Sequence, residues 1–196
     1  MMIPDPMQIS FTAQLHILRH FSEIDEEYRK ELKASAGFSD EDMDKQLTIA
    51  GSKFHPEFAK NPLHLLEMVR CHEKFSYPDI REWKANRYVI KMHFSRKNYP
   101  HGVGRDALIR LDDLLAEEKA LVKKQERDGM LVNQVKINRI NPTWQVNVVL
   151  WKEPELSVRT IFPGIYAPPL PDPGKQTETG LMTSRHFWEQ HAFITE

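Results

Sequence analysis

Cysteine is nearly absent, with Cys71 alone among 196 residues. One thiol excludes an intramolecular disulfide framework and a thiolate-rich zinc site. It also fits a reducing compartment, so a cytoplasmic location is expected. No apolar run approaches the roughly 18 residues of a membrane-spanning helix. The N-terminus lacks the basic and apolar regions of a signal peptide, so no membrane partner is expected. An excess of one charge is missing too: the formal net charge is −1 and the pI about 6.8. Without a global basic field the chain is not a general DNA-coating protein, although a small local basic site remains open. There is no Gly-x-Ser-x-Gly elbow, phosphate loop, dinucleotide fingerprint or His-Glu-x-x-His, so no cofactor and no metal are expected. What is there suffices for a core: 40% of residues are hydrophobic and 10% aromatic, in a chain long enough for one large domain or one domain with a helical extension.

The first half reads as helical. Ser10 is a good N-cap for a stripe of Phe11, Leu15 and Leu18 with Ile17, Phe21 and Ile24. Tyr28 and Leu32 extend the stripe towards a stop at Gly37. Ser39 to Asp42 forms a capping box before Met43 and Leu47, and that helix is expected to end at Gly51. Asn61-Pro62 starts another helix, with Leu63, Leu66 and Val69 along its stripe. His16 and His20 lie four apart on a helix and could share a metal. No third ligand stands at diagnostic spacing, so the simpler reading is two histidines on a wet face.

The second half changes period. Tyr88, Ile90, Met92 and Phe94 alternate with Val89, Lys91, His93 and Ser95, the pattern of a half-buried strand. Asn98 to Gly104 then reads as a turn, and Arg105 to Arg127 as a long helix ended by Gly129. The helix start would offer N–H groups to an anion beside His101. Further strands are expected near Val135–Ile137, Val146–Trp151 and Ser157–Phe162. Residues 163–174 carry five prolines and predict an ordered loop. A short terminal helix capped by Thr183 or Ser184 would dock through Phe187, Trp188 and Phe193. Pro78 and Trp83 suggest a turn plus a short helix between the halves. The expected fold is therefore α+β: an N-terminal helical unit over 1–78, then over 79–196 a twisted antiparallel sheet of about four strands with a long helix packed on one face.

Cations, histidines and hydroxyls gather in the second half: Lys91, His93, Arg96, Lys97, His101, Arg105, Arg159, Thr160, Ser184, Arg185 and His186. Such a set suits RNA cleavage without a metal. One histidine takes the proton of a ribose 2′-OH, a lysine or arginine stabilises the phosphorane, and a second histidine protonates the leaving oxygen. A metal held by His186 and His191 is the weaker alternative, because their spacing matches no established pattern.

Val-Arg-Thr-Ile-Phe-Pro-Gly (158–164) follows the hydrophobic strand at 146–151 and precedes Ala-Pro-Pro-Leu-Pro. With the closing Ser-x-x-Phe-Trp-x-x-His-Ala-Phe (184–193), it resembles the end of barnase–EndoU–colicin–RelE-like (BECR) ribonuclease domains of bacterial and phage-borne toxins. The resemblance covers roughly residues 85–196. It implies helices before a four-stranded antiparallel sheet and an RNA substrate such as tRNA. It also implies catalytic residues at His93 or His101, Lys91, Arg159 and Thr160. From the polar set above, Arg96, Lys97, Arg105, Ser184, Arg185 and His186 are the expected substrate-binding residues. Arg159 and Thr160 would share a site only if their strand is bulged. The competing expectation is a non-catalytic interaction module, either a toxin antagonist or a phage or mobile-element scaffold, with a protein partner or inhibitor.

Overall fold

The computed structural model describes residues 9–72, 81–84 (backbone), 87–151 and 156–195. The chain divides into two units. Unit 1 comprises residues 1–105 and 142–164, and unit 2 comprises 106–141 and 165–196. The α+β class holds, but the division does not fall at residue 78. The expected arm at 1–8, the turn at 152–155 and the linker around Pro78 lie outside the described residues.

Unit 1 opens with four helices, α1 (Phe11–Leu18), α2 (Glu26–Ala36), α3 (Asp40–Leu47) and α4 (Pro62–Arg70). Their starts follow local chemistry: Ser10, Asp25, Ser39 and Asn61 each accept a first-turn N–H, and Ser39 with Asp42 completes a capping box. The first stripe is two helices because Asp25 caps a new start within it. Gly37 closes α2 in the left-handed conformation at φ 66°. Thr48, rather than Gly51, ends α3.

A four-stranded antiparallel sheet follows, in the order β10 (Ser157–Pro163), β9 (Gln145–Trp151), β3 (Arg87–His93), β2 (Arg81–Lys84). Residues 81–84, around Trp83, are therefore strand rather than helix. Ile90, Met92, Val146, Val148, Leu150, Val158 and Ile161 share one core with Ile17, Phe21, Met43, Phe58 and Leu65 of the helical segment. The helices thus have no separate core of their own. A small second sheet joins β1 (Lys53–Phe54), β4 (Gly104–Arg105) and β8 (Pro142–Thr143).

Unit 2 overturns the long helix expected over 105–127. That segment forms β5 (Leu108–Arg110), a 3-10 turn, the short α5 (Ala116–Lys119) and β6 (Lys123–Arg127). β6 pairs with β7 (Met130–Lys136) across Asp128-Gly129, whose φ angles of 51° and 79° are both positive, as a two-residue hairpin of mirror-image type requires. The leucine stripe is real but serves several elements. Leu108 and Ile109 sit in a strand, and Leu114 joins Val135 and Ala192 in a small cluster. The last helix, α6 (Glu178–Gln190), is capped by Thr177 rather than Thr183 or Ser184. After it, β11 (His191–Thr195) runs parallel to β7 and antiparallel to β5, completing the order β5–β11–β7–β6. Trp188 stacks on Phe193 at 4.9 Å and donates its indole N–H to the Pro169 carbonyl, which ties the proline-rich loop to α6. Among the described residues no helix is long and apolar enough to cross a membrane.

Candidate functional site

Lys91 and His93 lie on one face of β3 and both are exposed. They stand opposite Asn147 and Gln145 of β9. Two residues along a strand span about 7 Å, within reach of one phosphate. His72, at the end of the helical segment, brings its Nε2 to 3.2 Å from the His93 carbonyl oxygen, and its ring lies 4.8 Å from Phe94. His72 is not among the candidates read from the sequence. Its approach to β3 spans 21 residues and leaves no local signal.

The turn after β3 differs from expectation. Arg96 stacks over Trp144 at 4.2 Å, and Trp144 donates its indole N–H to the Tyr99 carbonyl. Lys97 and His101 are exposed in this turn. Beyond it the chain enters β4 instead of a helix, so the helix-start N–H groups expected beside His101 do not exist. Arg105 projects from β4, paired in register with Lys53 and Pro142.

β10 carries a bulge between Val158 and Thr160, which makes Arg159 the extra residue. Its guanidinium lies 4.6 Å from the Trp151 ring centroid. Thr160 stands opposite Val149, which in turn stands opposite Val89. Thr160 therefore shares a sheet face with Lys91 and His93 but lies two strands across. Strand and residue spacings put it about 12 Å from Lys91 and about 16 Å from His93, too far for one phosphodiester. The middle of that face is closed: Val89, Asn147 and Val149 are buried. The Asn147 and Gln145 amides both donate to the Gly164 carbonyl, at 2.7 and 3.0 Å.

The remaining candidates belong to unit 2. Ser184 is 1% exposed, and its hydroxyl accepts from the Gln176 amide at 3.0 Å; it is a core residue, not a substrate contact. Arg185 and His186 are exposed on α6, with His186 Nε2 beside Gln190. His191 is buried, stacked on Phe187 at 3.9 Å, and donates from Nδ1 to the Phe187 carbonyl at 2.8 Å. Burial holds its pKa below the usual imidazole value. No group of three or more His, Cys, Asp and Glu side chains is arranged to hold a metal among the described residues.

His20 is likewise engaged rather than poised as a ligand. Its Nδ1 meets the Ser52 carbonyl and hydroxyl at 3.1 and 3.0 Å. Burial, reinforced by Lys53 and Arg19 and opposed by the Ser52 carbonyl, lowers its pKa to about 4. The native state therefore binds fewer protons here than the unfolded chain between pH 6.5 and 4, and stability falls as pH drops through that window. Allowing for partial exposure, the loss is about 2 kcal/mol. Denaturant unfolding at pH 7 and pH 4 should show it, and His20→Gln should flatten it.

Unit 2 also holds a hollow of about 380 Å³, lined by Leu121, Lys123, Gln125, Gln134, Val135, Lys136 and Thr195. Its polar groups are ammonium, carboxamide and hydroxyl, with no carboxylate among them. Sequence reasoning assigned Lys123 to the end of a helix and so missed it.

No protein-family model matches the chain. No curated protein and no solved structure matches it either.

Proposed function

We propose that the protein is a non-catalytic protein–protein interaction module of the antagonist or scaffold kind. The observation carrying this reading is the apolar distribution of unit 2. Its cluster buries Ile109, Leu114, Val135 and Ala192, while Leu115, Leu121, Leu131, Ile140 and Met182 stay exposed. Exposed aliphatic side chains of this kind are suited to anchor a partner. The groups that RNA cleavage would need are dispersed, with Thr160 across a closed sheet face, Arg96 and Arg159 on indole rings, and Ser184 in a core. Purified protein incubated with tRNA and total RNA in EDTA is expected to leave both intact. Cleavage that His93→Ala abolishes would overturn the reading.

Three observations favour a second reading, a metal-independent endoribonuclease of the BECR type acting as a toxin or mobile-element effector. Lys91 and His93 share an exposed face, His72 sits against the His93 carbonyl, and residues 87–105 include five lysines and arginines and no acid. In that case His93 takes the 2′-OH proton, Lys91 stabilises the phosphorane, and His72 replaces His101 as the acid. The same assay with His72→Ala tests it: cleavage that survives this substitution removes His72 from the mechanism.

A further inference from the structure

We infer that the outer edge of β6 is the docking site for an extended acidic strand of a partner protein, which adds to the unit 2 sheet. The inference rests on the interaction-module reading and names its partner class. Among the described residues the sheet ends at β6, and all five residues from Lys123 to Arg127 are exposed. One side of the β6 backbone is engaged by β7. The other side points out of the sheet, with the N–H and C=O groups a further strand would use.

The hollow lies beside this edge. Register places Lys123 opposite Gln134 and Thr195 opposite Lys136, so both ammonium groups, two carboxamides and a hydroxyl occupy one face of β6, β7 and β11. Arg127 adds a guanidinium 4.1 Å from the Phe193 ring centroid. A strand added to β6 presents every second side chain to that face, about 7 Å apart. Glutamates at alternate positions would meet Lys123 and the carboxamide N–H groups, and their length carries them towards Lys136. Leu121, 51% exposed, adds an apolar wall to the hollow against which the glutamate methylenes can lie.

Lysines on an edge strand ordinarily guard against edge-to-edge pairing. Here the guard is selective. β6 carries Lys123, Lys124 and Arg127 against Glu126 alone, so a second copy of β6 is repelled while an acidic strand is drawn in. A purely protective edge also has no need of the hollow beside it.

The test uses the full chain and a short synthetic peptide of alternating glutamate and valine, followed by fluorescence anisotropy at low and moderate salt. Saturable binding is expected. It should weaken at least about tenfold when the peptide backbone is N-methylated, when lysine replaces its glutamates, or when the protein carries Lys123→Glu and Lys136→Glu. Thermal unfolding of the double variant should match that of the parent, since both lysines are at the surface. No saturable binding, or binding indifferent to the double substitution, would overturn the inference. So would a short single-stranded RNA that binds these lysines more tightly than the peptide. RNA cleavage dependent on His93 would instead sink the non-catalytic reading and leave the peptide result standing, so the two failures are distinguishable.

Discussion

Replacing Gly104 by alanine is expected to cost unit 1 about 3 kcal/mol or more, enough to remove a large share of a typical domain's stability. A Cβ at this position would stand 2.3 Å from the Lys53 carbonyl oxygen, 3.2 Å from the Lys53 carbonyl carbon and 3.0 Å from the Pro163 Cβ. The first two neighbours are backbone and cannot swing away. β1 and β4 would have to separate, breaking the register of Lys53 with Arg105 and of Phe54 with Gly104, and with it the His55 N–H bond to the Val103 carbonyl. Overpacking of this kind is relieved only by backbone shifts. Gly37→Ala is the informative control. Nothing lies within 4 Å of its added Cβ, but its φ is +66°, so the cost is conformational and about 1 kcal/mol. Urea unfolding of both variants should rank Gly104→Ala well above Gly37→Ala. Equal costs would mean that β1 and β4 are not held at this spacing.

How much could be read in advance followed the range of the interactions. The caps at Ser10, Ser39 and Asn61 and the stop at Gly37 are contacts within four residues, and each was legible from the residues alone. The alternation of β3 was legible because one of its faces is buried in the core, and β9, buried on both faces, was legible as a short apolar run. Residues 105–127 failed for a physical reason. Leucines at helical spacing are compatible with several short elements when distant strands supply the hydrogen bonds, and β5 obtains its partner from β11, more than 80 positions on in the chain. Asp128-Gly129 between two strand-like runs signals a hairpin, although a glycine at this place also suits the end of a helix. Glu118 likewise has no local signal for its role: it is 6% exposed, accepts from the Leu115 N–H and forms a two-pronged pair with Arg139 at 2.9 and 3.0 Å. Of the candidate site, the sharing of one face by Lys91 and His93 followed from strand alternation. The separation of Thr160, the stacking of Arg96 and Arg159 and the burial of Ser184 depend on which strands are neighbours, which no local pattern states.

Lys53→Met is expected to be the second severe change, although nothing in the sequence marks this lysine. Lys53 is 5% exposed. Its ammonium donates to the Arg19 carbonyl at 2.7 Å and to the Leu47 carbonyl. Arg19 is the C-cap of α1 and Leu47 the last residue of α3. Terminal carbonyls have no partner within their own helix and carry the negative end of its dipole, so one buried cation stabilises two helix ends at once. Methionine keeps the volume and removes every donor. Leaving the two carbonyls without this ammonium should cost about 3 kcal/mol in urea unfolding. A second readout separates lost charge from lost packing. The Lys53 charge helps to hold His20 below its ordinary pKa, so in Lys53→Met the His20 titration should move upward in an NMR pH series. Lys53→Arg, which keeps the charge, should leave that titration low even if its larger head strains the site. An upward shift in both variants would mean that His20 responds to loosened packing, and the electrostatic account of this junction would fail.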